Sequence, residues 1–359
     1  MTGRSLTNLP YGVYSQPIWP VPLHSRVRAG LLFWFRVPAY SKPYLDLNDQ
    51  LALLEQRGMV ITDRPRARRY FARIGYYRLS GYWFPFRQST TTTDPAGRGI
   101  TTVGDAFVPG TEFGHVVDLY VFDKKLRLLV LDAIERVEVA LRVDIALRLG
   151  PRDPWAHLKP AELHGNFAKK LNPRTGRTAH AEWCDRLSQA IRRSNEDFVD
   201  RFRGKYTSPL PIWIAIEIWD FGMLSQLLAG LRHADQAAIA TAYGIPRAEL
   251  LTSWVRAVNF ARNVCAHHSR LWNRPLVDQP KPPKPGEVPL FDHLAADRHV
   301  QSRLYFVAAV LRFFLIKVNP SSHWHERLKL LLATLPAAPG ITLRHAGFPA
   351  GWDQQQLWA

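Results

Sequence analysis

The stretch from Thr111 to Leu149 limits the fold more than any other part of the chain. Within it, Leu126, Leu129, Val130, Ala133, Ile134, Val137, Leu141 and Ile145 recur at spacings of mostly three and four, the period of one α-helical face. Gly150 and Pro151 end the run. Shorter segments with the same period flank it. Leu45–Arg57 carries Leu47, Leu51 and Leu54 on one face and stops at Gly58, and Asp63–Ile74 carries Ala67, Tyr70, Phe71 and Ile74. Downstream, helices are predicted over Glu182–Lys205, within Ser208–Leu231 (with a break near Phe221 and Gly222), and over Ala234–Tyr243, Arg247–His268, Asp297–Val318 and His323–Leu335. Strand-like alternation is almost absent. The fold class is therefore all-α.

Irregular segments separate these helices. The Thr/Gly/Asp-rich run Gln88–Gly110 reads as a mobile loop, Pro151–Ala181 is polar and punctuated by proline and glycine, and the proline-rich VDQPKPPKPGEVP reads as a loop. The chain divides by character into residues 1–41, a basic and aromatic region 42–110, a helical core 111–335 and an irregular tail 336–359. Met1–Arg36 has no acidic residue, several prolines and no clear period. Residues 1–41 thus read as a disordered extension, or as chain ahead of a translation start near Val37. The length of 359 residues admits two domains or one large helical domain with insertions.

Charge narrows the partners. The net +17, less the four arginines Arg4, Arg26, Arg28 and Arg36, leaves +13 for the rest of the chain, a surplus that suits RNA or an anionic membrane. The longest apolar run, Leu304–Val318, contains Arg312 and falls short of the ~20 residues of a membrane span. It reads as a buried core helix, and no membrane association is expected. Cys184 and Cys265 belong to no paired motif, so a reducing, cytoplasmic setting is expected. No phosphate-binding loop or dinucleotide fingerprint occurs, and no cofactor is expected.

Two stretches carry candidate chemistry. In the first, Arg64, Arg68, Arg69, Arg73 and Arg78 are interleaved with or precede Tyr76 and Tyr77. Guanidinium groups hold phosphates and rings stack on bases, so these seven are RNA-binding candidates. The plainer reading makes the rings core and the arginines a solvated face. The second is FARNVCAHHSRLWN, Phe260–Asn273, at the end of an amphipathic segment whose buried stripe is Leu251, Trp254, Val255, Val258, Ala261 and Cys265. Histidine titrates near neutrality and serves as base or acid. A guanidinium holds a phosphate and the charge developing on it. Arg262, Asn263 and His267 thus suit cleavage of RNA by its own 2′-hydroxyl. Residues five apart lie about 140° apart on a helix, so Arg262 and His267 act together only where the helix ends or where two copies meet. The same spacing recurs at Arg152/His157 and, one residue longer, at Arg174/His180. A helix-capping cluster is the competing structural reading. Metal ligation by His267, His268 and Cys265 has no evident fourth ligand, and none is expected.

Longer segments carry a resemblance. KPYLDLNDQLALLEQRGM, YFARIGYYRLSGYWFPF, LYVFDKKLRLLVLDAIERVEVALR, PIWIAIEIWDFGMLSQL, FARNVCAHHSRLWN and GFPAGW succeed one another between Lys42 and Trp352. Together they resemble the Abi-like abortive-infection proteins (AbiD/AbiF type), whose fold is of the HEPN superfamily. The resemblance implies a HEPN-like helical bundle with added N-terminal helices and irregular loops. It also implies a ribonuclease motif at Arg262 and His267, with His268 a permitted alternative. Glu138 and Arg142 match an accompanying pattern and would support the site, although an i,i+4 surface ion pair is their plain reading. Such ribonucleases form a composite site from two protomers, so a homodimer is expected. An inhibitory RNA or an antitoxin protein is an expected further partner.

Two functions are therefore expected as alternatives. One is a metal-independent endoribonuclease of abortive-infection phage defence or toxin type, leaving 2′,3′-cyclic phosphate and 5′-hydroxyl ends. The other is a non-catalytic RNA-binding or regulatory protein of a defence or toxin–antitoxin system.

Overall fold

The structure of the protein is a computed structural model. It describes residues 39–94, 97, 99–294 and 297–359, so the reading of the N-terminal extension lies, up to residue 38, outside the described residues. Leu45–Ala359 form one compact unit.

The unit starts with three short helices whose limits are written in the sequence. α1 (Leu47–Gln56) is capped by Asp46, whose carboxylate accepts from the amides of Asn48 and Asp49 at 2.7 and 2.9 Å. It stops before Gly58, at φ +92°, which no β-carbon-bearing residue adopts readily. α2 (Arg64–Ile74) is capped by Asp63, and α3 (Tyr76–Trp83) buries Leu79, Tyr82 and Trp83.

The run Gln88–Gly110, expected to be a mobile loop, is instead mostly a hairpin. β1 (Arg87–Thr93) and β2 (Gly99–Phe107) pair antiparallel. Threonines fill both strands, and β-branched side chains favour the extended backbone. Thr91 and Thr101 face each other, with hydroxyls 3.0 Å apart. Arg57 and Arg87 tie the base of the hairpin through Asp105, each at 3.1 Å.

α4 (Phe113–Leu149) is a single helix of 37 residues, about 55 Å long. Its stripe is buried as expected, with Leu126, Val130, Ala133, Ile134, Val137, Leu141 and Ile145 at most 1% exposed. Beyond α5 (Gly165–Ala168), the segment read as one helix over Glu182–Lys205 is two, α6 (Ala179–Arg193) and α7 (Asp197–Lys205). The apolar run from Ser208 breaks at Trp219–Asp220 into α8 (Ile212–Ala215) with a 3-10 turn and α9 (Phe221–Gly230), where Asp220 caps the amide of Met223. α10 (His233–Ala242) leads to α11 (Ala248–Ala266). α12 (Arg298–Gln301) and α13 (Leu304–Val318) split the helix expected over Asp297–Val318, and α14 (Trp324–Leu332) comes after them.

α4 is the spine: α3, α8, α9, α10, α11, α13 and α14 all pack on it. α13 is a core helix, buried from Leu304 to Leu315. Among the described residues no helix is long and apolar enough to cross a membrane. The tail is irregular, as expected, yet it is part of the core. Phe348, Trp352, Leu357 and Trp358 are buried, and the Trp358 indole donates to the Tyr305 hydroxyl at 3.0 Å. Packing thus crosses the changes of sequence character at 110 and 335. The fold is helical apart from the hairpin.

Candidate active site

α11 buries Leu250, Leu251, Trp254, Val255, Val258, Ala261 and Cys265, and the Trp254 ring stacks on Phe291 at 4.9 Å. That packing fixes which residues its other side presents. The helix ends at Ala266, and His267 is its C-cap. The next residue, His268, sits at φ +55°, the one non-glycine residue with positive φ among the described residues. Its amide donates to the carbonyl of Cys265, and that of Ser269 to Val264, at 3.0 and 2.9 Å. This is the Schellman arrangement, which usually places glycine where His268 stands. A left-handed conformation costs a residue with a β-carbon about 1–2 kcal/mol, and such strain gathers at functional sites. The candidate catalytic residues, for which helix capping was the competing reading, therefore stand at the helix cap.

His267 and His268 are exposed, while Arg262 and Asn263 are half-buried. The Arg262 guanidinium donates to Asn263 Oδ1 at 3.3 Å, and among the described residues it has no carboxylate partner. The cation is left available for an anion. Cys265 is buried, which pushes its thiol up to about 12 and keeps it away from the exposed imidazoles.

The loop after the helix is held from beneath. Asp123, on the buried side of α4, accepts the amide of Trp272 at 2.8 Å and that of Leu271 at 3.2 Å. It also accepts the Tyr82 hydroxyl at 2.7 Å and an N–H of Arg127, which donates to Tyr82 Oη as well. Burial pushes the Asp123 carboxyl above its ordinary range, against the pull of Arg127, Tyr82 and the two amides. Arg270 is half-buried, the loss of solvent lowers its pKa, and it donates to the carbonyl of Gly81. Arg303 donates to the carbonyl of Asn273 at 2.8 Å. Sequence reasoning missed Asp123, Arg127 and Arg270 as site-builders. A signal existed: Asp123 and Arg127, four apart, fall in register with the apolar stripe of α4 at Val116, Leu119, Leu126 and Val130.

The remaining candidates lie farther from the motif or at its edge. Glu138 and Arg142 are joined at 2.6 Å, and Arg142 also donates to the carbonyls of Ile216, Glu217 and Trp219. The pair clamps the turn before α9. Glu138 stands 15 residues beyond Asp123, about 22 Å along α4. Just past that turn Gly222 approaches α11, where an added Cβ would lie 3.9 Å from Asn259 Nδ2. In the basic and aromatic region, Arg78 reaches the motif and donates to the His268 carbonyl at 2.6 Å. Arg68, Arg69 and Arg73 are exposed, and Tyr77 is 77% exposed. Arg64 is paired with Glu55 at 2.7 Å. Tyr76 packs against Trp83 and Phe71, the core role that the plainer reading gave the rings.

The sequence pattern of the Abi-like proteins matches residues 69–273, from within the basic and aromatic region to the last residue of the motif stretch. Comparisons with curated proteins and with solved structures give no match. The matched span takes in α3, α4, α9, α11 and the Asp123 network under the loop, and it covers more than half of the chain. The chain belongs to the Abi-like protein family.

Proposed function

We propose that this protein is a metal-independent endoribonuclease acting in abortive infection. The observation that carries the reading is the state of α11's last turn. An arginine without a carboxylate partner among the described residues, an amide and two exposed histidines stand there on a backbone strained at His268. The family supports a role in abortive infection; the cleavage chemistry comes from the residues.

In the proposed reaction Arg262 holds the scissile phosphate. His267 takes the proton from the 2′-hydroxyl, the 2′-oxygen bonds to phosphorus, and the bond from phosphorus to the 5′-oxygen breaks. The leaving 5′-oxygen takes up a proton, and a 2′,3′-cyclic phosphate remains. Asn263 positions the guanidinium through its Oδ1. His268 provides the strained cap, and Glu138 with Arg142 supports the site by fixing the turn before α9. A second copy would supply the acid that a single histidine does not, which makes a homodimer with a composite site part of the proposal. An inhibitory RNA or an antitoxin protein would restrain it.

The exposed Arg68, Arg69, Arg73 and Tyr77 favour a second reading, an RNA-binding regulator without cleavage. Incubating wild-type protein with labelled RNA in EDTA, and then analysing the end groups, separates the two. Cyclic phosphate and 5′-hydroxyl ends are expected. Bound but intact RNA would favour the regulator.

A further inference from the structure

The polar side of α11 continues away from the motif into a cleft of about 370 Å³ between α9 and α11. Gly222, Gln226 and Ala229 line it from α9, Arg256 and Asn259 from α11, and Lys281 from the loop beyond. On an ideal helix Glu249, Arg256, Asn263 and His267 fall within about 40° of one another. The cleft therefore opens on the side of α11 that presents Asn263 and His267. Asn259 is one turn, about 6 Å, from Asn263 along the axis.

Its chemistry is that of a hydrogen-bonding slot. Asn259 Oδ1 is buried and has no hydrogen-bond partner among the described residues, so rotation of its amide toward a ligand in the cleft breaks no bond at that oxygen. Arg186 donates to Gln226 Oε1 at 2.7 Å, which fixes that amide with its NH2 group left to donate. Gly222 and Ala229 keep the wall low enough for a flat ring to enter. Its edge carries both signs, with Arg256 held by Asp278 at 3.4 Å, exposed Lys281, and Glu249 on α11.

We propose that this cleft is a nucleobase subsite. It takes the base of the nucleotide next to the phosphate held by Arg262, and the Asn259 and Gln226 amides read that base's hydrogen-bonding edge. The inference rests on the ribonuclease reading for the position of the strand. Its test does not need cleavage. Binding of non-cleavable 2′-O-methyl hexamers of A, C, G and U is measured for wild type, Asn259→Ala and Ala229→Phe. Ala229 is exposed, so the larger ring fills the cleft without entering the core. Wild type is expected to prefer one base by about tenfold, the worth of one or two hydrogen bonds, and both variants to lose the preference. Equal or absent binding of the four hexamers by wild type overturns the subsite, as does a preference that survives in both variants. Cleavage by the same preparations is scored separately. A preference that depends on Asn259 and Ala229 in a protein that does not cleave RNA keeps the subsite and removes the ribonuclease reading.

Discussion

Two regions of this molecule carry an arginine and, five residues later, a histidine, and they use the pair in opposite ways. At Arg152 and His157 the arginine is paired with acids and the histidine ring is shut away from solvent. Arg152 is bound to Asp235 and Glu162, and Asp235 is itself buried. His157 is 0% exposed, set among His180, Trp183 and Trp219. At Arg262 and His267 the arginine has no acid among the described residues, and the histidine faces solvent beside a strained cap. Spacing alone does not distinguish them. The structural pair differs from the candidate catalytic one in that its arginine is already paired with acids and its imidazole is closed to solvent.

The sharpest way to probe that contrast is to disturb the support beneath the motif. Asp123→Ala leaves Arg127 buried without its carboxylate and two loop amides without an acceptor. A loss of about 3–5 kcal/mol is expected, read as a lower midpoint in urea unfolding. An unchanged midpoint would mean that the network does not hold the loop. Arg152→Ala removes one of the two arginines on buried Asp235, and about 2 kcal/mol should be lost. Arg262→Ala should stay within about 0.5 kcal/mol of wild type by the same measurement. Equal costs for the two would erase the contrast.

Acid titration tests the buried histidine. Burial, with repulsion from His180, holds His157 down to about 4 from its ordinary 6.5. The unfolded chain therefore binds the proton first as pH falls, and stability is lost from pH 6.5 towards pH 4. Its share is about 2 kcal/mol at pH 5. His157→Phe should remove that share from the difference in unfolding free energy between pH 7 and pH 5; an unaltered difference would contradict it. At the cap the expected effect is a gain. His268→Gly relieves the left-handed strain and should stabilise by about 1 kcal/mol, with RNA cleavage retained. Loss of cleavage in that variant would move the proton carrier from His267 to His268.

Much of the fold was legible because apolar side chains at helical spacing must be covered. α4, α11 and α13 announce themselves in this way. The hairpin was not, because its threonines are polar on both faces and give no alternation, although their branched side chains fit a strand. The breaks at Ser194 and Ser302 went unseen because a periodicity count smooths over short interruptions, whereas the break at Trp219–Asp220 lies beside the position expected from Phe221 and Gly222. At the site, the cluster Arg262, Asn263 and His267 stood out by composition. Its support did not. A charged pair inside an apolar stripe makes sense only once the amides it serves are known, and the Leu271 amide lies 148 residues from Asp123 in the chain. Arg78 shows the same limit, since its tie to His268 spans 190 residues.

The end of α11 is proposed to cleave RNA, with His267 carrying the proton. The most direct test is the rate of RNA cleavage in EDTA by wild type and His267→Ala at matched concentrations of folded protein. A loss of about 10²–10⁴-fold is predicted, the range of general acid–base catalysis, with RNA binding unchanged. Cleavage by His267→Ala at the wild-type rate would contradict that role.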